Sequence, residues 1–540
     1  MIKIILLVTG LIFATTAGSQ AKTTVLVPYG DYMIVVPSKP GIYANAFAGS
    51  DLAEQIKTAI AALPNSSGIV KVASGTYSIT SGSIVIPSNI TVVCDSGVVI
   101  EVGDSIRDMA LVSITNATNF ALENCIVDGN RLTPTKSLGL IQLTDSSHGT
   151  LSGNVIRNSY GNGLYLSGGN TQIKITNNDI YNNGPTLDSG QAGLGIGSGS
   201  TGAAGNTYIS IDQNKVHDNW IGIEIQPSLT ATTNFDISNN EIYSNANDGL
   251  LVFSVSMNGG PISNFMIASN QSYCNGWPAN GVNFSPNCTP GFLQHGSVVS
   301  SSGVGIDLNS ASFGQSTITG NRTHDNFYEG IDVTPLTITQ VNTNGTVVTA
   351  VSGDPFITSW KPNQAVIING AHYLIASISG TTQMTLTTSA GTQNMAPFLG
   401  VGNGQNTLSG NTSYNNGSGN NIASGHGFGD IANGDIWTNN VAYNNNGVGF
   451  IDQLSSNVSH TGDTAYNNDN NGGFSTGFLC QGCLNATYTN LTAYDSRAAK
   501  KQVYGLVLDS QADNARISTI NMPQGGPPIL DQGTNDVYTP

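Results

Sequence analysis

Cationic side chains are scarce in this chain: 17 Lys and Arg stand against 33 Asp and Glu in 540 residues, a formal charge of −16. That balance excludes nucleic acid as a partner, because phosphate binding requires clustered bases. It also weighs against direct capture of an acidic polymer, which would need a bridging cation or a few well-placed bases. Charge of either sign is thin, 9% where a soluble domain carries about 25%. A chain so poor in charge and rich in Gly, Asn, Ser and Thr would be disordered, were its 39% of hydrophobic residues not placed in short, regular bursts. Long apolar runs are missing too. None reaches the roughly 20 residues of a bilayer span, so no membrane span is expected. The run Ile4 to Ala14 follows Met1-Ile2-Lys3 and leads to Ser19-Gln20-Ala21. That is the pattern of a secretory signal peptide over residues 1–21, and it predicts an extracellular or periplasmic protein.

Cysteine is limited to six residues, an even number that an exported chain can hold as disulfides. Cys274 and Cys288 bracket a loop rich in Pro and Asn, and Cys480 and Cys483 form a close pair. Cys94 and Cys125 sit in similar contexts one repeat apart. All three pairs read as structural staples. A metal at Cys480-x-x-Cys483 lacks the second close pair such sites use.

What is present is a repeat of roughly 22 to 27 residues. It shows in Ile211 to Ile225 (IDQNKVHDNWIGIEI), in Ile237 to Val252 and in Ile318 to Val333, with looser copies from Leu151 to Leu508. Each unit holds two short stretches of period-2 alternation separated by Asn-rich turns, followed by Gly-h-x-h, where h is apolar. Period 2 means strands. Strands this short bury no face alone, so successive units must stack in parallel at about 4.8 Å per coil. The recurring Asn, as at Asn154, Asn177, Asn214, Asn239, Asn321 and Asn411, suits an internal ladder of stacked amides.

A solenoid needs its open ends covered. Asp51-Leu-Ala-Glu54 opens a short amphipathic helix with Leu52, Ile56, Ile60 and Leu63 on one face, stopped at Pro64. Coils are expected from Ile69 onward. Between residues 336 and 402 the repeat gives way to longer strands, read as an inserted β module. The expected organisation is thus an N-terminal segment (22–50), cap and first coils (51–335), the insert (336–402), further coils (403–520) and a tail (521–540).

The segment Asp51 to Ile90, with its helix followed by Gly68-Ile-Val-Lys-Val and Gly75-Thr-Tyr-Ser-Ile79, resembles the start of the pectate-lyase-like superfamily. With the repeats, the likeness covers most of residues 45–520. It implies an all-β, right-handed parallel β-helix with a short capping helix. It also implies activity on polysaccharide along an outer face, although a fold alone does not make a site. Ser424-Gly-His-Gly-Phe428 looks like the Gly-His-Gly of polygalacturonases, and Gly305-Ile-Asp307 and Gly330-Ile-Asp332 stand where that family places catalytic aspartates. The family's Asn-Thr-Asp, Asp-Asp and Arg-Ile-Lys motifs are absent, as is the Asp-Pro-His of alginate epimerases.

In Gly-h-x-h the h residues point inward and x points out, so stacking lines the x residues into one column. It reads Tyr165, a glycine near Gly195, Glu224, Leu251, Asp307, Asp332 and Gly429, with Ser167, Gln226, Phe253, Asn309 and Thr334 two residues further on. Asp307 and Asp332 are expected about 5 Å apart, and Glu224 about 10 Å from Asp307. These residues predict a polysaccharide hydrolase with Asp307 and Asp332 as acid and base, His426 assisting, and Glu224, Tyr165, Gln226, Phe253 and Asn309 contacting substrate. The hydrolase needs no cofactor. The nearest alternative is a lyase with Ca²⁺ held by Glu224, Asp307 and Asp332 and with Arg322 contacting a uronate or acting as base. A third reading is a non-catalytic adhesin. His217 and His324, which alternate with tyrosines in sister repeats, read as structural. The insert and the Cys274 to Cys288 loop are expected to wall the groove.

Overall fold

The computed structural model describes residues 41–539, apart from 107, 131–138, 185–190, 198–204, 227–230, 254–261, 277–286, 289–302, 311, 335, 354, 357–359, 403, 418–424 and 471–472, and adds the backbone of 24–29 and 32–37. The expected signal peptide and Ser424 lie outside the described residues.

Period-2 segments become strands of two to six residues, and the coils feed three long parallel sheets. The first sheet runs from Gly41–Tyr43 to Val537–Thr539. The second holds 14 strands from Gly75–Ile79 to Ile520–Asn521, and the third 14 strands from Ile84–Val85 to Ile529–Asp531. Alternate side chains point inward and build one continuous hydrophobic core, with rows such as Ile175, Ile211, Ile237, Ile267 and Ile318 fully buried. Helix α1 (Leu52–Ala62) covers the first coil. Asp51 caps it by accepting from the N–H groups of Ala53 and Glu54, and Leu52, Ile56, Ile60 and Leu63 are buried beneath it.

Two boundaries differ from the sequence reading. Coil pairing starts before the helix, because Gly41–Tyr43 already pairs with Ile69 to Lys71. The segment 521–540 is not a tail: Ile529–Asp531 pairs with Leu506 to Leu508 and Val537–Thr539 with Arg516 to Ser518, so it forms a last coil. Its Pro and Gly residues lie in the corners. The insert is a closed antiparallel barrel of six strands between Leu336 and Val401, with its own core of Val341, Phe356, Trp360 and Phe398. It leaves the solenoid after Ile331–Val333, and the coil resumes in register, Asp332 opposite Gly429.

The corners carry two amide ladders. One runs through Asn154, Asn178, Asn214, Asn240, Asn270, Asn321, Asn411 and Asn440 to Asp463. Each amide nitrogen donates to the next side-chain oxygen at 2.9 to 3.0 Å. Asn177 and Asn239 are therefore not rungs. In Asn177-Asn178 and Asn239-Asn240 the first residue turns the corner with φ of 55° and 57°, which Asn tolerates, and the second points inward. A second ladder, unforeseen from sequence, joins Asn183, Asn219, Asn245, Asn275, Asn326, Asn416, Asn445 and Asn468 to Gln502. On the second sheet, nine rings from Tyr181 to Tyr494 stack at centroid spacings of 4.6 to 5.1 Å, with His217 and His324 among them. Cys94 is bonded to Cys125, Cys274 to Cys288 and Cys480 to Cys483.

The ladder makes a paired prediction. Asn240→Ala leaves buried groups on both neighbouring coils unpaired and is expected to cost about 1–3 kcal/mol, whereas Asn239→Gly, at a left-handed corner, changes stability by less than about 1 kcal/mol. Urea unfolding of the two variants checks this, and equal losses would contradict it.

Candidate functional site

The outer face of the third sheet is built from two neighbouring columns. The first is the x position, and its register is Tyr165, Gly195, Glu224, Leu251, Asp307, Asp332, Gly429, Ile451 and Leu479. The second is the residue just before each glycine, including Ile221, Asp248, Val304, Glu329, His426 and Val448. Both columns are apolar away from their middle. Ala192, Ile221 and Leu251 form one hydrophobic cluster, joined by Trp220 and Phe253, and Val448, Ile451 and Leu479 form another, joined by Phe474. Between them lie Asp248, Asp307, Glu329 and Asp332.

These acids are not a solvated stripe. Glu224 is 5% exposed, Asp307 7% and Asp248 2%, because each is flanked by side chains of the coils above and below and by the adjoining column. Burial raises the Asp307 carboxyl well above its ordinary range, and the charges of Asp248, Asp332 and Glu329 push it further. Its Oδ1 is buried without a hydrogen-bond partner among the described residues. Burial likewise lifts Glu329 to about 8, with the charge of Asp332 adding to it. Asp332 is lifted to about 6, again by burial, against the hydrogen bond it accepts from the Thr334 hydroxyl. Glu224 rises to about 7 through burial, although Gln226 donates to its Oε1 at 2.7 Å. Asp248 accepts from the backbone N–H groups of Gly303 and Val304.

A pocket of about 320 Å³ opens beside this cluster, lined among others by Glu329, Asp332, Thr334, His426, Gln453 and Phe474. Gly429 makes room for it, since a Cβ there would sit 2.5 Å from Asp332 Oδ1. His426 Nδ1 accepts the Val448 N–H at 3.1 Å, so the neutral ring carries its proton on Nε2.

The structure thus brings Asp307, Asp332 and His426 together and adds Glu329 and Asp248, which the sequence reading passed over. Their signal was the acid before glycine in Asn-Asp248-Gly and Tyr-Glu329-Gly. Other candidates fall elsewhere. Arg322 lies on the second sheet, on a strand pairing with Gln271 to Tyr273 and Thr412 to Tyr414, with its guanidinium 5.0 Å from the Tyr414 ring. It is not part of the acidic face, because the corner turn that precedes it rotates the strand away. Tyr165 stands two coils before Glu224, and Gln226, Phe253 and Asn309 flank the column outside the pocket. Glu224 is three coils from Asp332, about 14 Å at the parallel-strand spacing, so one Ca²⁺ cannot bridge Glu224, Asp307 and Asp332. Among the described residues no trio of His, Cys, Asp and Glu is arranged to hold a metal. Among the described residues the insert does not line the pocket; it meets the solenoid at Asn433, whose Oδ1 accepts from the Ala365 N–H, and at Gly482, whose backbone is hydrogen-bonded to His372. The Cys274–Cys288 loop lies largely outside the described residues, though Asn287 reaches Asp325 beside the Glu329 coil.

A family description of the right-handed beta helix region matches residues 63–208. The chain is a right-handed parallel β-helix. Among solved structures, this β-helix is similar to PfbA, a surface adhesin of Streptococcus pneumoniae, with 9% identity over 88% of this chain and 92% of that one and a TM-score of 0.50. The A-module of a mannuronan C-5 epimerase from Azotobacter vinelandii matches with 12% identity, 92% and 97% coverage and a TM-score of 0.41. An exopolygalacturonase from Thermotoga maritima matches with 10% identity, 92% and 91% coverage and a TM-score of 0.37. At these identities the likeness is one of fold. No curated protein matches the chain by sequence. Among the described residues no helix is long and apolar enough to cross a membrane.

The raised carboxyls set a sign for stability. A group whose folded pKa lies above its unfolded value stabilises the fold below the unfolded pKa, and that contribution is lost as pH rises through the folded pKa. For Glu224 the window runs from about 4.5 to about 7. Glu224→Gln keeps an acceptor for Gln226 and is expected to be more stable than the parent at pH 8, by about 1–3 kcal/mol, and nearly equal to it at pH 4. Denaturant unfolding at both pH values checks this; a gain at pH 4 as large as at pH 8 would contradict it.

Proposed function

We propose that the protein is a secreted carbohydrate-active enzyme that cleaves a polysaccharide by carboxylate acid/base chemistry on the outer face of its third sheet. The observation that supports this most is the pocket in which Glu329 and Asp332 stand side by side with carboxyls pushed to different heights, about 8 and about 6. Glycosidic cleavage requires one carboxyl to hold a proton and another to be ionised at the same pH. Near pH 7 Glu329 holds its proton and protonates the departing glycosidic oxygen. Asp332 is ionised and activates water or attacks the anomeric carbon. Asp307, deeper and held neutral, adds no competing negative charge at that pH, and His426 donates through Nε2. The arrangement departs from an Asp307 and Asp332 acid/base pair by moving the acid to Glu329, which lines the pocket where Asp307 does not.

The test is to incubate the mature protein with neutral and uronic polysaccharides, with and without chelator, following new reducing ends and ultraviolet-absorbing unsaturated ends together. Reducing ends alone are expected. Unsaturated ends that vanish with chelator would replace the hydrolase with a Ca²⁺-dependent lyase, and no product from folded protein would leave a non-catalytic binder. Glu329→Gln and Asp332→Asn are each expected to lower the rate by about 10²–10⁴-fold. The rate should rise as Asp332 ionises through about 6 and fall as Glu329 loses its proton through about 8. Glu329→Gln should abolish the alkaline limb in whatever activity remains.

A further inference from the structure

The proposed site has an acidic end and a neutral end. Past Asp332, toward the last coils, its wall changes character: Gln453 and Gln481 occupy successive coils, with Gln453 Nε2 donating to Gln481 Oε1 at 3.2 Å. Beside them Ile451 and Phe474 offer apolar surface. Amides next to an apolar platform suit the hydroxyls and the C–H face of a sugar ring. Among the described residues no Lys or Arg lines this wall. Between Val216 and Ser496 the sequence holds 16 Asp and Glu but, for bases, only Arg322 and Lys361. In the corner that leads to the next coil, Arg497 is paired with Asp495, Lys500 bonds the Gln524 carbonyl and Lys501 bonds the Asn470 carbonyl. Arg322 is engaged with Tyr414 on the second sheet, and Lys361 belongs to the inserted barrel. A uronate on this wall would bring its charge beside Asp332 and Glu329 with no Lys or Arg among the described lining residues to neutralise it.

We infer that the site takes an uncharged glycan, whose sugar beyond the cleaved bond lies on Ile451 and Phe474 with its hydroxyls on Gln453 and Gln481. The inference rests on the reading of the acids as the catalytic pair, and it fixes the substrate class that reading left open. Two like charges a few ångströms apart at a partly solvated site repel by more than the energy of a tenfold preference, so charge alone decides between otherwise matched polymers.

The experiment offers the intact mature protein a set of neutral glycans, together with polygalacturonate and its carboxyl-reduced counterpart, with and without added calcium. Reducing ends measure cleavage, and calorimetric titration of oligosaccharides measures binding. At least about tenfold faster cleavage of neutral over uronic polymers is expected. Gln453→Ala and Gln481→Ala should each raise KM about tenfold while kcat stays within about threefold, and Gln453→Arg should narrow the preference. Equal or faster cleavage of the uronic form, in calcium or without it, overturns the inference and leaves the hydrolase reading standing. If nothing is cleaved but neutral oligosaccharides bind, and bind more weakly to Gln453→Ala, the substrate class stands and the catalytic reading falls. Binding of uronic oligosaccharides alone, or of none, overturns the inference.

Discussion

Every side chain in the solenoid has a counterpart one coil above and one below, about 4.8 Å away, and must be able to live beside it. This constraint governs the whole molecule. Aliphatic side chains meet it by packing, and the inward rows of Ile, Leu and Val do so from end to end. Aromatic rings meet it by stacking face to face, as in the run from Tyr181 to Tyr494. Asparagine meets it because its amide both donates and accepts. Carboxylates cannot meet it when charged, since like charges at that spacing repel and burial removes the water that would screen them.

The acidic face is therefore the place where the architecture works against itself. Asp307 opposite Asp332, with Asp248 and Glu329 in the adjoining column, is an arrangement that coil stacking disfavours. It is resolved by leaving protons on some of the group. Apolar clusters on both sides shield the cluster from water and sharpen the differences between its members. Another acidic group is handled differently: inside the solenoid, Asp452 accepts from His460 and from the Tyr488 hydroxyl, and Asp463 binds the other nitrogen of the same histidine. There the acids have partners and the imidazole is raised to about 10 by them, against its burial. In the outer cluster, by contrast, Asp307 Oδ1 is buried without a hydrogen-bond partner among the described residues.

Much of this was legible in the sequence because a period-2 strand ending in Gly-h-x-h fixes which residue faces out. The column from Tyr165 to Gly429 follows from that pattern, and even the insert did not disturb it, since the Gly-His-Gly coil could be matched to Asp332 across the gap. The residue before the glycine carries no such pattern. It sits where strand meets corner and alternation lapses, which hid Glu329 and Asp248. The same loss of periodicity at corners made Asn177 and Asn239 look like rungs when their neighbours are, and put Arg322 nearer the acids in expectation than it is in space. Burial of the column was also invisible, because an x position reads as exposed until its neighbours on adjacent coils are in place.

The amide ladders run one way. Each Asn passes its hydrogen bonds toward the last coils, so the final member need only accept, and in one ladder that member is a carboxylate, Asp463. Anywhere earlier, a carboxylate would receive from below and have nothing to hand upward. Hydrolytic loss of ammonia, the usual ageing reaction of asparagine, would make that exchange in place and cut the ladder at that coil. In the first ladder none of the Asn members precedes a glycine, the neighbour that leaves an asparagine most open to the reaction. The second is less guarded, with Asn183, Asn275 and Asn416 each followed by Gly. Chemical wear in this solenoid should therefore begin at the corner between the second and third sheets, next to the face that carries the acids.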